Sequence, residues 1–178
     1  MNKHEENKIW IQHCKPYAEQ ATHYYTPHTR ILSKDKTEGQ IEFCKKLISS
    51  QLQVFHNRLV KRLHGYDYAK KRAELEVILI AGIEVKSTHE VEFDTMHVHM
   101  LLGNLKGKFF DSTEQEVIKQ LLDECWKKTC VFGKETHLRT TDDTPLKGLS
   151  YTNKGNWKPW LGDGVQFMNC WWPTAEIS

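Results

Sequence analysis

Two apolar runs separated by a mostly polar stretch of ten residues fix the middle of this chain. "LEVILIAGIEV" at 75–85 and "MHVHMLLG" at 96–103 are bounded by polar segments, and "KSTHEVEFDT" lies between them. Runs of this length, rich in Val, Ile and Leu, read as two buried strands joined by a long hairpin loop. Alternate residues of a strand share a face, so Val98 points to a core while His97 and His99 both point the other way. Glu84 is the last residue but one of the first run, just before the loop. On an antiparallel pair, side chains facing each other lie about 4.5–5.5 Å apart.

The flanking segments supply helices. "DKTE" at 35–38 caps a helix that runs to about residue 64. Ile41, Cys44, Leu47, Ile48, Leu52, Phe55, Leu59 and Leu63 form its stripe, and Gly65 is its stop. "STEQ" at 112–115 reads as a capping box, and Val117, Ile118, Leu121, Leu122, Cys125 and Trp126 as the apolar face that follows. "QATHYYTPHTRIL" at 20–32 has strand composition, with Pro27 expected to confine it to an edge or a break. "THLRT" at 136–140 reads as a further strand and "TPLKGLSYTNKG" at 144–155 as a short helix. The expected order is β-α-β-β-α-β-α: an α+β fold with a central antiparallel sheet, helices packed on one face and the other face free.

Composition narrows the function classes. A chain of 178 residues suits one domain spanning 1–178. Lys+Arg 25 against Asp+Glu 23 leaves a net charge of +2, so a nucleic-acid surface has to be a local patch. No stretch approaches the roughly 18 apolar residues of a membrane span. The opening "MNKHEENKIW" has no signal core, which leads to the expectation of a cytoplasmic or host-interior protein. Five scattered cysteines point to reduced thiols. Cys125 and Cys130 with His137 have irregular spacing for zinc, and Cys125 falls on an apolar helix face.

The chemistry lies on the free face. Two imidazoles and a carboxylate suit a divalent ion that must also hold a phosphate oxygen. Glu84 is the preferred carboxylate, because a strand fixes a ligand better than the loop residues Glu90, Glu92 and Asp94. With ten histidines in the chain, about 0.6 His-x-His pairs arise by chance, so the apolar strand around the pair carries more weight than the pair itself. Tyr151 and Lys154 stand three apart on the last helix and so share a face. A phenol, with a pKa of about 10, needs a nearby cation and a polarised phosphate to act as a nucleophile.

In this order, a strand ending in Glu84, the His97-Val98-His99 strand, an amphipathic helix, a strand and a Tyr-x-x-Lys helix resemble the HUH endonuclease superfamily. They resemble most the single-tyrosine replication-initiator nuclease domain of rolling-circle viruses, phages and plasmids. The resemblance covers about residues 20–160, with an aromatic segment, 156–178, beyond it. It implies that His97, His99 and Glu84 hold Mn²⁺ or Mg²⁺, that Tyr151 is the nucleophile, and that Lys154 acts beside the scissile phosphate. The implied reaction is nicking and rejoining of single-stranded DNA, or of an origin hairpin, through a 5′-phosphotyrosine, with a host replication helicase as a further partner. Arg139, Lys147, Trp157 and Lys158 are the expected DNA contacts. No Walker A motif occurs, so a helicase domain is not part of this sequence. The alternatives are a single-strand transposase of the same superfamily and a non-catalytic module with an RRM-like sheet. No aromatic pair on "VILIAGIE" or "HVHMLLG" supports the module.

Overall fold

The computed structural model describes residues 3–32, 34–66, 76–85, 95–141, 145–152 and 162–172. The chain runs α1 (Lys3–Ala18), β1 (His23–Leu32), α2 (Glu38–His64), β2 (Ile78–Glu84), β3 (Thr95–Gly103), α3 (Gln115–Trp126), β4 (Phe132–Thr140), α4 (Pro145–Thr152) and β5 (Gly162–Trp171). The strands form one sheet in the order β4-β1-β3-β2-β5, and every neighbouring pair is antiparallel. β1 and β2 therefore run parallel with β3 inserted between them, the split βαβ arrangement. The fold is α+β around an antiparallel sheet, as the sequence implies.

Local chemistry sets the helix ends. Thr37 and Gln40 close a capping box at the start of α2: the Gln40 N–H donates to Thr37 Oγ1 at 3.3 Å and the Thr37 N–H to Gln40 Oε1 at 2.9 Å. Gly65 ends the helix with φ of 68°. The expected box at Ser112 does not form. α3 starts at Gln115 without a side-chain cap, and Ser112 Oγ instead accepts from the Glu114 N–H at 3.2 Å.

Alternation divides the strands between two layers. Tyr25, Leu79, Ala81, Ile83, Met96, Val98, Met100 and Leu102 pack against α2 and α3, through Ile48, Leu52, Phe55, Leu59 and Leu63 of α2 and Leu121, Leu122 and Trp126 of α3. The sequence left the opposite face free, but α1 and α4 cover part of it. Cys14, Ala18 and Leu149 pack there against Tyr24, Ile80 and Leu101. This second layer is why every residue of β2 is buried.

β1 is also not the edge strand that Pro27 suggested, since it pairs with β3 on one side and β4 on the other. The strand accommodates proline because its pairing with β4 shifts register between Pro27 and Thr29. The missing N–H thus falls at a bulge. β5 lies within the aromatic segment. Trp171 stacks on His56 at 4.9 Å and Trp172 on Tyr17 at 4.4 Å, so both serve packing. None of the five cysteines is in a disulfide, and burial pushes the Cys125 thiol up to about 12. No described helix is long and apolar enough to cross a membrane.

Asp123 on α3 fastens the helix to the sheet. It accepts from the Tyr25 hydroxyl of β1 at 2.8 Å, the Thr136 hydroxyl of β4 at 2.8 Å and Lys119 Nζ at 2.6 Å. Burial alone would raise its pKa, but the three donors outweigh it and hold the carboxyl below the usual range. A depressed pKa stabilises the fold above the unfolded value of about 3.9, and that stability is lost as pH falls through the folded value. Asp123→Asn should therefore lower stability to urea at pH 7 and reduce the loss on acidification below about pH 4. Parallel acid profiles for variant and wild type would contradict this account.

Candidate functional site

The register of three strands assembles the site. His97 on β3 stands opposite Glu84 on β2 and opposite His28 on β1, while His99 stands opposite Gly82. Alternation puts Glu84, His97, His99, Thr26, His28 and Tyr24 on the face that Val98 turns away from. On β4, His137 pairs with Thr26 and Arg139 with Tyr24, which extends the polar row by one strand.

Within that row Glu84 and His99 are in direct contact. Gly82 contributes no side chain opposite His99, so the Glu84 carboxylate reaches diagonally across the pair and accepts from His99 Nε2 at 2.6 Å. The other nitrogen, Nδ1, lies 2.7 Å from the Tyr24 hydroxyl and 3.4 Å from Thr26 Oγ1. A nitrogen that donates to the carboxylate leaves Nδ1 to accept from Tyr24 in the neutral ring. His97 takes a different position and stacks on His28, with ring centroids 4.2 Å apart and planes 19° apart.

His28 lies 3.3 Å from the exposed carboxylate of Glu135 and edge-on to His137. Burial holds its pKa below the ordinary value, opposed by Glu135 and reinforced by His137 and His99. The ring is neutral near pH 7. Glu84, His97, His99 and His28 are all buried, although a pure packing role would favour apolar residues there. Of these four, His99 lines an open cavity of about 310 Å³, together with Tyr24, Thr26, His137, Leu138 and Arg139. The Arg139 guanidinium lies 4.6 Å from the centre of the Tyr24 ring, so this expected DNA contact sits beside the histidines.

α4 closes over the same face because Gly148 lets it approach. A Cβ at this position would fall 2.6 Å from Leu101 Cδ2, so the helix rests on the sheet two residues from His99. Tyr151 follows one turn later, in the last turn of α4, and its side chain lies outside the described residues. Lys147 is exposed on α4. Lys154, Trp157, Lys158 and the loop residues Glu90, Glu92 and Asp94 lie outside the described residues.

The donor set fits a divalent ion in type but not yet in arrangement. Among the described residues no three His, Cys, Asp or Glu side chains converge on one point. Glu84 and His99 meet, while His97 is turned towards His28. An ion between Nε2 and the carboxylate requires Nε2 without its proton, hence Nδ1–H donating to Tyr24. Fixing the tautomer in this way is the usual task of a second partner on a ligating histidine. Sequence reading missed Tyr24, Thr26 and His28, although they alternate along "HYYTPHTR" as His97 and His99 do along β3. Comparisons of the chain with protein-family models, with curated proteins and with solved structures returned no match.

Calorimetric titration with Mn²⁺ should show one ion bound by the wild type and none by the His97→Ala/His99→Ala double variant. Tyr24→Phe keeps the ring and should weaken binding about tenfold, the lower end of the range for losing a second-sphere partner. Unchanged binding by the double variant would put any ion elsewhere.

Proposed function

We propose that this protein is a metal-dependent HUH-type endonuclease that nicks and rejoins single-stranded DNA through a 5′-phosphotyrosine. In this reading it is a single-tyrosine initiator of rolling-circle replication that acts in the cytoplasm or interior of a host cell. The observation that carries the reading is the shared face. Glu84, His97 and His99 share one face of the sheet, His99 lines an open cavity there, and the helix that bears Tyr151 packs on the same face at Leu101.

In the proposed reaction the Tyr151 oxygen forms a bond to the scissile phosphorus, and the bond from phosphorus to the 3′ oxygen breaks. The phenol gives up its proton and the leaving oxygen takes one, yielding a free 3′-OH. A 3′-OH attacking the phosphotyrosine reverses the step, and because one ester replaces another no ATP is needed. A bound Mn²⁺ or Mg²⁺ would polarise a non-bridging oxygen of that phosphate. Glu84, His97 and His99 would hold the ion, and Tyr24 would orient His99. Arg139, which lies over the Tyr24 ring, would hold a flanking phosphate or base at the cavity. Lys154, three residues after Tyr151 in the sequence, would serve the leaving oxygen.

A second reading has support of its own. Tyr24 with Arg139 beside a cavity would also suit base binding by a non-catalytic module. One experiment separates the two. The protein is incubated with a pool of single-stranded oligonucleotides and Mn²⁺, then run on a denaturing gel. Nicking activity should yield a covalent protein–DNA band that disappears in Tyr151→Phe, while that variant still folds and binds Mn²⁺. Binding without any covalent band would favour the module, and a band that persists in Tyr151→Phe would assign the nucleophile to another residue.

A further inference from the structure

A groove lies on the other side of the sheet, where α2 and α3 end side by side. Arg58, Lys61 and Arg62 occupy one stripe of α2, and Lys127 and Lys128 follow the end of α3. With Tyr66 they line a groove of about 660 Å³. The one carboxylate among its described lining residues, Glu124, is held by Arg62 at 2.7 Å, which leaves four further described cations along the groove. In a chain whose net charge is only +2, this is a pronounced local excess. Cations at helix C-termini are favoured by the helix dipole, which accounts for part of the pattern.

The dipole does not account for the aromatic residues. Tyr66 is 83% exposed, with Lys61 Nζ 4.2 Å from its ring centre. Phe109 is 63% exposed, with Lys108 Nζ 5.2 Å from its ring. The two rings flank Gly65, where a Cβ would fall 2.5 Å from the Phe109 ring. The Phe109 N–H donates to Leu63 O at 2.9 Å, so the loop that presents Phe109 is anchored to the end of α2. Fixed rings among cations suit a strand with unpaired bases, its phosphates on the lysines and its bases on the rings.

We propose that the groove between the ends of α2 and α3 is a second binding site for single-stranded nucleic acid, separate from the histidine face. Phosphates would lie on Arg58, Lys61, Lys127 and Lys128, and a base on Tyr66. The inference extends the nucleic-acid reading but does not require that the protein nick DNA. The histidines lie on the opposite sheet face, so a strand held in the groove does not occupy the site beside His99.

The test measures binding of a fluorescein-labelled (dT)20 by anisotropy, in EDTA, over a range of salt concentrations. Neutralising three cations in Lys61→Ala/Lys127→Ala/Lys128→Ala should reduce the slope of log K against log salt by about 2, at roughly 0.7 per single-strand phosphate contact. Tyr66→Ala should weaken binding about fivefold or more and leave the slope unchanged. His97→Ala/His99→Ala should retain the groove-dependent part. All these positions except the histidines are exposed, and circular dichroism checks that each variant is folded. A wild type that does not bind, or groove variants that bind with unaltered affinity and slope, would overturn the proposal whatever the adduct gel shows. Loss of affinity in the groove variants without any covalent band would uphold the groove and count against nicking. If Tyr66→Ala has no effect and poly-glutamate displaces the oligonucleotide at equal charge, the groove is a dock for acidic protein and the proposal fails.

Discussion

β3 is paired along both edges, so its register fixes two surfaces at once. Val98, Met100 and Leu102 face the layer of α2 and α3, and the residues between them must then face the other way. A slip of one residue would put His97 and His99 into the apolar core and Val98 beneath α4. Burying two imidazoles among Leu52, Phe55 and Trp126 without partners would cost several kcal/mol each, which makes the observed register strongly preferred. The larger core therefore holds the histidines in place from the opposite face of the sheet.

The opposite face is assembled on different terms. Near its centre Tyr24, Ile80 and Leu101 meet Cys14, Ala18 and Leu149, and the packing is apolar. Two residues along β3 the same face becomes a row of hydrogen-bonding groups, with Glu84, His99 and Tyr24 linked in a chain. Such a chain is tolerable in a buried setting because each member satisfies the next. The boundary between apolar and polar zones coincides with Gly148, where α4 touches the sheet. The helix is thus seated by packing at a position adjacent to the polar groups.

Parts of this arrangement were legible in the sequence. The apolar runs of β2 and β3, the stripe of α2 and the alternation that unites His97 with His99 are local patterns. α1 was not read, because its buried positions Cys14 and Ala18 are small and Pro16 interrupts the segment. The second layer nevertheless left a trace: a strand as uniformly apolar as β2 is covered on both faces. Of the edge or break that Pro27 suggested, the break is what forms, and its place was not legible because a bulge is a property of two strands together. Tyr24 escaped notice for a related reason. Its partner His99 is 75 residues away, and only the pairing of β1 with β3 brings them together.

The insertion of β3 between β1 and β2 also governs how the site comes into being. β2 and β3 are neighbours in the chain and close as a hairpin, whereas β1 must dock on the free edge of β3 from across α2. Contacts between segments so distant in sequence form slowly, because loop closure precedes their reward. A chain in which only the hairpin has formed holds the Glu84 and His99 pair with nothing on Nδ1 from Tyr24, and His97 without the ring of His28. The polar row is complete only once β1 has docked, so it belongs to the finished sheet and to no earlier stage of it.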